Sequence, residues 1–175
     1  MKKTLVLVLS ALFLSCAGSA SFAQDYPSRT ITFLVPFAAG SVTDSVARFF
    51  AERLNKALKA PVVVENKPGG NGVIAARAIV NGEADGYTVF ITTNSTHAAN
   101  VNLYKNLAYD PINDFAPVSR IMQIPLVVVV RPDMPADSLE GLMRLAAAKS
   151  GEMSYASGNT SSQVAAELIA RAAKA

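Results

Sequence analysis

Beyond residue 23 the sequence contains no cysteine and one histidine, His97. The missing cysteine excludes disulfides and thiol chemistry from that part of the chain. Without a second histidine there is no His or Cys pair at metal-ligand spacing. A nucleophilic enzyme needs a base beside its nucleophile, and His97 stands in the stretch Thr92-Thr93-Asn94-Ser95-Thr96, where hydrogen bonding or solvation is the simpler role. No Gly-x-Ser-x-Gly elbow is present. The sequence therefore assigns no catalytic residue, no metal ligand and no cofactor. Asp85, Asp110, Asp114 and Asp133 lie beside glycine or proline or near loop ends, where turn formation accounts for them.

Charge of one sign and long apolar runs are equally scarce. Lys2 and Lys3 precede the apolar run Leu5 to Leu14, and Ser21-Phe22-Ala23 supplies small residues at positions −3 and −1 of a cut before Gln24. This pattern predicts a secretory signal peptide over residues 1–23, removed after Ala23, and an exported chain. Cys16 behind Leu14-Ser15 offers lipid attachment instead, but Phe13 stands where a lipoprotein signal has Leu, which disfavours it. No later segment approaches the roughly 18 uninterrupted apolar residues that a membrane span needs. Removing Lys2 and Lys3 from the 16 basic residues leaves 14 against 13 acidic ones, so the net charge falls from +3 to +1. A nearly neutral chain without Lys/Arg runs carries no electrostatic footprint for nucleic acid.

What is present is an alternation of short strands and amphipathic helices. Thr30 to Val35 reads as a strand, followed by the small-residue loop Pro36-Phe37-Ala38-Ala39-Gly40-Ser41, with Asp44 three residues beyond Ser41. Val42, Val46, Phe49, Phe50, Leu54 and Leu58 recur at helical spacing as one apolar stripe. Pro61 to Glu65 (strand), Pro68 to Gly72 (loop), Val73 to Val80 (helix) and Tyr87 to Ile91 (strand) follow. Strands alternating with helices imply a mainly parallel sheet. A second regular region is expected from Ala116 to Met122, in a strand Leu126 to Val130, a helix Leu139 to Ala148, a strand Met153 to Tyr155 and a final helix from about Ser162.

Two of the strand-to-helix turns suit an anion. The N–H groups of a helix's first turn have no intrahelical partner, and the macrodipole places partial positive charge there. Gly40 and the alanines let a ligand approach the backbone. The structural alternative is an ordinary capped turn, with Ser41 as N-cap and Asp44 completing a capping-box-like pair. The turn Ala156-Ser157-Gly158-Asn159-Thr160-Ser161-Ser162 repeats this chemistry. Gly70-Asn71-Gly72-Val73-Ile74-Ala75 formally matches a dinucleotide fingerprint, but the next strand ends Ile91-Thr92-Thr93-Asn94 without the acid that would hold a ribose. A helix-capping turn is the better reading.

These segments together resemble the periplasmic receptors of tripartite tricarboxylate transporters, the Bug receptor family. The resemblance runs from Tyr26-Pro27-Ser28-Arg29 to the last residue and rests on several ordered matches. They are Val35 to Gly40 with Asp44 and Ala47-Arg48, Val63 to Gly70, Asp85-Gly86-Tyr87-Thr88, Leu103-Tyr104, Tyr109-Asp110-Pro111, Asp114 to Val118, and Tyr155 to Gly158. It implies an α/β fold of the periplasmic binding-protein type (type II), mainly a parallel sheet with flanking helices. It also implies a receptor located in the periplasm that holds a small carboxylate between two lobes and delivers it to the transporter's membrane components, not an enzyme, and a monomer when complete.

Carried over residue by residue, Phe37, Ala38, Gly40 and Ser41 would line the first lobe, and Thr93, Asn94 and Ser95 would border the cleft. Ser157, Gly158, Thr160, Ser161 and Ser162 would line the second lobe. Asp44 would cap its helix, since a carboxylate beside a bound carboxylate repels it. Ser41 stands where many members have a second glycine, which puts a hydroxyl where the backbone would otherwise be bare. Members are nearly twice as long. The expectation is therefore a first lobe over residues 24–125 that lacks its return segments and a truncated second lobe over 126–175. The alternatives are a truncated paralogue or gene fragment that binds nothing and, less favoured, an exported enzyme.

Overall fold

The computed structural model describes residues 26–175. The expected signal peptide, its cut after Ala23 and the lipidation alternative at Cys16 lie outside the described residues. The core is a three-stranded parallel sheet in the order β2-β1-β3, with β1 Ile31–Val35, β2 Val62–Asn66 and β3 Thr88–Phe90. Ile31 pairs with Val62 and Val35 with Asn66 on one side, and Thr32 pairs with Thr88 and Leu34 with Phe90 on the other. Because β1 is hydrogen-bonded along both edges, its near-continuous apolar run is buried, as expected of a central parallel strand. The N-terminal half of the predicted element order is present in full.

Helix α1, Val42–Leu58, packs on β1 and β2 through Ala47, Phe50, Ala51 and Leu54. This corrects the predicted stripe. Val42 and Phe49 are 58% and 53% exposed, and only Phe50 and Leu54 of the predicted set join the core. Two small alanines let the helix sit close to the sheet, so the face they occupy wins over the bulkier neighbouring arc. The bulky arc instead lines an open groove of about 430 Å³ with Met122.

A 3-10 turn, Gly70–Gly72, leads into α2, Val73–Val80, and a π-helical turn, Ser95–Ala99, runs into the one-turn helix α3, Asn100–Leu103. Three of these segments converge at Gly72. Its φ is +88°, and a Cβ there would lie 2.4 Å from Thr96 Cγ2 and 3.1 Å from Pro36 Cβ. Glycine is therefore demanded both by backbone conformation and by contact. The apparent dinucleotide fingerprint is thereby explained as a close approach of three loops.

The C-terminal region departs further from expectation. Helix α4 spans Leu139–Ala148 as predicted, and α5 spans Thr160–Ala173, two residues earlier than expected. The segment Ala116 to Met122 and the predicted strands Leu126 to Val130 and Met153 to Tyr155 have no strand assignment. Val127 and Val129 are 77% and 83% exposed. β-branched residues favour a pleated, half-buried surface, and among the described residues no strand lies beside this run to supply one.

Replacing Gly72 by Ala is expected to lower unfolding stability by about 2–4 kcal/mol, combining overpacking with the cost of a positive φ. Gly151→Ala is the control, since its φ is +79° but nothing lies within 4 Å of the added Cβ. Its loss should be only about 1 kcal/mol. Urea midpoints measured on both variants check the difference.

Candidate functional site

The loop between β1 and α1 is held by one carboxylate. Asp44 is 3% exposed, and its Oδ2 accepts hydrogen bonds from the Gly40 amide (2.9 Å) and Arg48 Nε (3.0 Å). Its Oδ1 accepts from Asn66 Nδ2 (2.9 Å) and lies 3.0 Å from Arg48 Nη2. Asn66 Nδ2 also reaches the Phe37 carbonyl (3.0 Å), and its Oδ1 accepts from Arg48 Nη2 (3.1 Å). The side chain at the end of β2 thus fastens both ends of the loop. The Arg48 hydrogen bond first, then those from Gly40 and Asn66, lower the Asp44 pKa from 3.8 to about 2. Asp44 therefore stays ionised and occupied by protein donors.

Helix capping matches expectation at Ser41 and differs in detail at Asp44. Ser41 is the N-cap, and its Oγ accepts from the Asp44 amide (3.2 Å). The Asp44 carboxylate reaches back to Gly40, one residue further than a capping box requires. The loop's donors are consequently divided. The amides of Gly40, Ser41, Asp44 and Ser45 are engaged within the loop and first turn. Among the described residues no hydrogen bond holds the amides of Val42 and Thr43. Gly40 contributes open space, with nothing within 4 Å of where a Cβ would stand, and Ala38 is exposed beside it. Phe37 is half-buried against the core.

The second turn has the same division. Asn159 is the N-cap of α5, and it forms a full capping box with Ser162: Oδ1 accepts from the Ser162 amide (3.0 Å), and Ser162 Oγ accepts from the Asn159 amide (3.2 Å). Ser162 is thereby committed to the helix. Ser157 and Gly158 are exposed. Thr160 is buried, donating to Asn100 Oδ1 (3.2 Å), and Ser161 Oγ lies 3.1 Å from Ser95 Oγ. The structure thus brings Ser95 together with Thr160 and Ser161. Thr93 is half-buried, its Oγ1 accepting from the Ser95 amide, and Asn94 is exposed.

Asn66, Asn100, Tyr109 and Asn159 were missed in the sequence. The spacing of Asn159 and Ser162 is a readable capping signal. The other three act through residues distant in the chain, so no local pattern marks them. His97 packs edge-on to Phe115, with ring centroids 4.7 Å apart, and its Nδ1 lies 3.0 Å from Thr96 Oγ1. Burial holds its pKa below the ordinary range. Asp85 and Asp110 accept backbone N–H groups two and three residues on, as turn formers do. Asp114 accepts from the Asp110 amide, and Asp133 pairs with Arg131.

A parallel α/β sheet with a small-residue loop beyond its central strand and a hydroxyl-rich turn opening another helix has the make-up of a solute-binding protein. The chain belongs to the family described as tripartite tricarboxylate transporter family receptor, whose model matches residues 46–174. It is 37% identical over 159 residues to Protein BugT of Bordetella pertussis, covering 89% of this chain and 49% of BugT. Among solved structures it resembles one described as a periplasmic transporter, with TM-score 0.79, 39% identity and coverage of 85% of this chain and 51% of that one. It also resembles R. palustris Rpa4515 with adipate, with TM-score 0.73, 36% identity and coverage of 77% and 45%. The chain spans about half the length of the curated relatives it matches.

Asp44→Asn is expected to lower stability at neutral pH. Because the folded pKa lies below the unfolded value, the carboxylate's contribution is complete above about pH 5 and is lost as pH falls through 4 towards 2. The melting temperatures of wild type and variant should therefore converge between pH 5 and pH 2, and a gap independent of pH would deny the charge a role.

Proposed function

We propose that the chain belongs to an exported, periplasmic solute receptor that holds a small carboxylate between two lobes and hands it to the membrane components of a tripartite transporter. The first lobe covers residues 24–125 and the second begins at 126. One observation carries the reading: α1 and α5 both open on capped turns whose first two amides, those of Val42 and Thr43 and of Thr160 and Ser161, make no hydrogen bond among the described residues. Beside them Gly40 and Gly158 leave room for a ligand. Each helix start carries roughly half a positive charge, which favours an anion without any lysine or arginine. The adipate in the Rpa4515 structure makes a dicarboxylate the first candidate. The Ser41 hydroxyl accepts from Asp44, which leaves its own proton free for a carboxylate oxygen.

On this reading Phe37, Ala38, Gly40 and Ser41 face the ligand from one lobe, and Ser157 and Gly158 from the other. Asn94 borders the opening. No catalytic residue, metal or cofactor is assigned, and His97 serves packing and hydrogen bonding.

Thermal melts with adipate, shorter dicarboxylates, a tricarboxylate, an amino acid and an aromatic acid provide the test. A ligand at 100 times its Kd adds roughly 2.7 kcal/mol, equivalent to a rise of about 5–10 °C for a domain of this size. Ala38→Asp should abolish that rise and leave the unliganded midpoint nearly unchanged, because the new carboxylate repels the ligand from an exposed position. No rise with any of the acids would refute the receptor reading.

A further inference from the structure

Asn100 is fully buried in the one-turn helix α3, and its side-chain amide makes three hydrogen bonds to other segments. Its Nδ2 donates to the Asn71 carbonyl (3.1 Å) and to Tyr109 OH (3.2 Å), and its Oδ1 accepts from Thr160 Oγ1 (3.2 Å). Tyr109 OH in turn donates to the Thr96 carbonyl (2.7 Å). Beside this chain lies the Ser95–Ser161 hydroxyl pair. Ser95, Thr96, Asn100 and Thr160 are all buried, and no described buried side-chain polar atom lacks a partner. Such a network favours one arrangement because every alternative that keeps its members dry leaves a donor or acceptor unpaired.

Among the described residues no strand ladder ties the region of α5 to the sheet: the connecting run from Ala116 to Val130 has no secondary structure, and the main contacts of α5 are with α4 and the Ser95–Ala99 turn. We infer that Asn100 is a positioning residue, which latches the start of α5 to the Ser95–Ala99 turn through the Thr160 hydroxyl and so fixes where the Ser157-Gly158 turn stands relative to the sheet. Thr160 and Ser161 then act through their side chains as latch groups, not as side-chain contacts to a ligand. The latch stands on the hydrogen bonds alone. Its effect on affinity rests on the receptor reading above.

Disulfide trapping without ligand tests the latch separately from that reading. A full chain carrying Cys16→Ser, Ser95→Cys and Ser161→Cys has only the engineered pair of thiols, placed where two oxygens now lie 3.1 Å apart. Under mild oxidation the pair should close readily. Adding Thr160→Val, which keeps the shape and removes the donor, should slow closure at least tenfold, and Thr160→Ser should restore it. Tyr109→Phe should also slow closure while circular dichroism shows the helices intact. The latch is refuted if the thiols fail to close, or if Thr160→Val and Tyr109→Phe both leave the rate within twofold.

Discussion

One ionised carboxylate sets the geometry of the loop that joins the central strand β1 to helix α1. Asp44 collects donors from its own loop, from the next turn of its helix and from the last residue of a neighbouring strand. An unpaired charge in that position would be costly to desolvate, so its partners cannot be withdrawn singly. The Pro36–Ser41 loop is therefore a fixed element attached to the sheet at Asn66. Arg48 is absorbed in the same cluster, which leaves backbone amides and hydroxyls as the exposed polar chemistry of the loop.

A second constraint connects this loop to its surroundings. Gly72 brings the 70–72 turn into contact with Pro36 on one side and Thr96 on the other. The Asn100 network then links Thr96 to the 70–72 turn through Asn71 and to α5 through Thr160. Local packing and buried hydrogen bonds thus form a continuous path from the first anion-suited turn to the second. The parallel sheet provides the rigid end of that path.

The sheet and its helices were legible because their signals are local. Ile31 to Val35 reads as a buried strand from its own composition, and helix α4 begins and ends where its periodicity predicts. The core face of α1 was misread because Val42 and Phe49 outweigh Ala47 and Ala51 in any count of apolar residues, whereas close packing selects the smaller side chains. The run Leu126 to Val130 has strong strand propensity but no described neighbour to pair with, and propensity alone makes no ladder. At the candidate site the hydroxyl and glycine pattern was readable, but Asn66 and Asn100 acquire their roles from partners dozens of residues away.

Within the Pro36–Ser41 loop, Ala38 and Ala39 are the residues whose side chains stand clear of the bonded frame. Asp44, Arg48 and Asn66 bind one another, while Ala38 and Ala39 stand exposed and Gly40 opens onto empty space. Side-chain changes at Ala38 and Ala39 are thereby uncoupled from the bonds that hold the loop, whereas Gly40, with its φ of +82° and its amide on Asp44, belongs to them. A loop organised in this way can change two exposed side chains without rebuilding the part that keeps it folded.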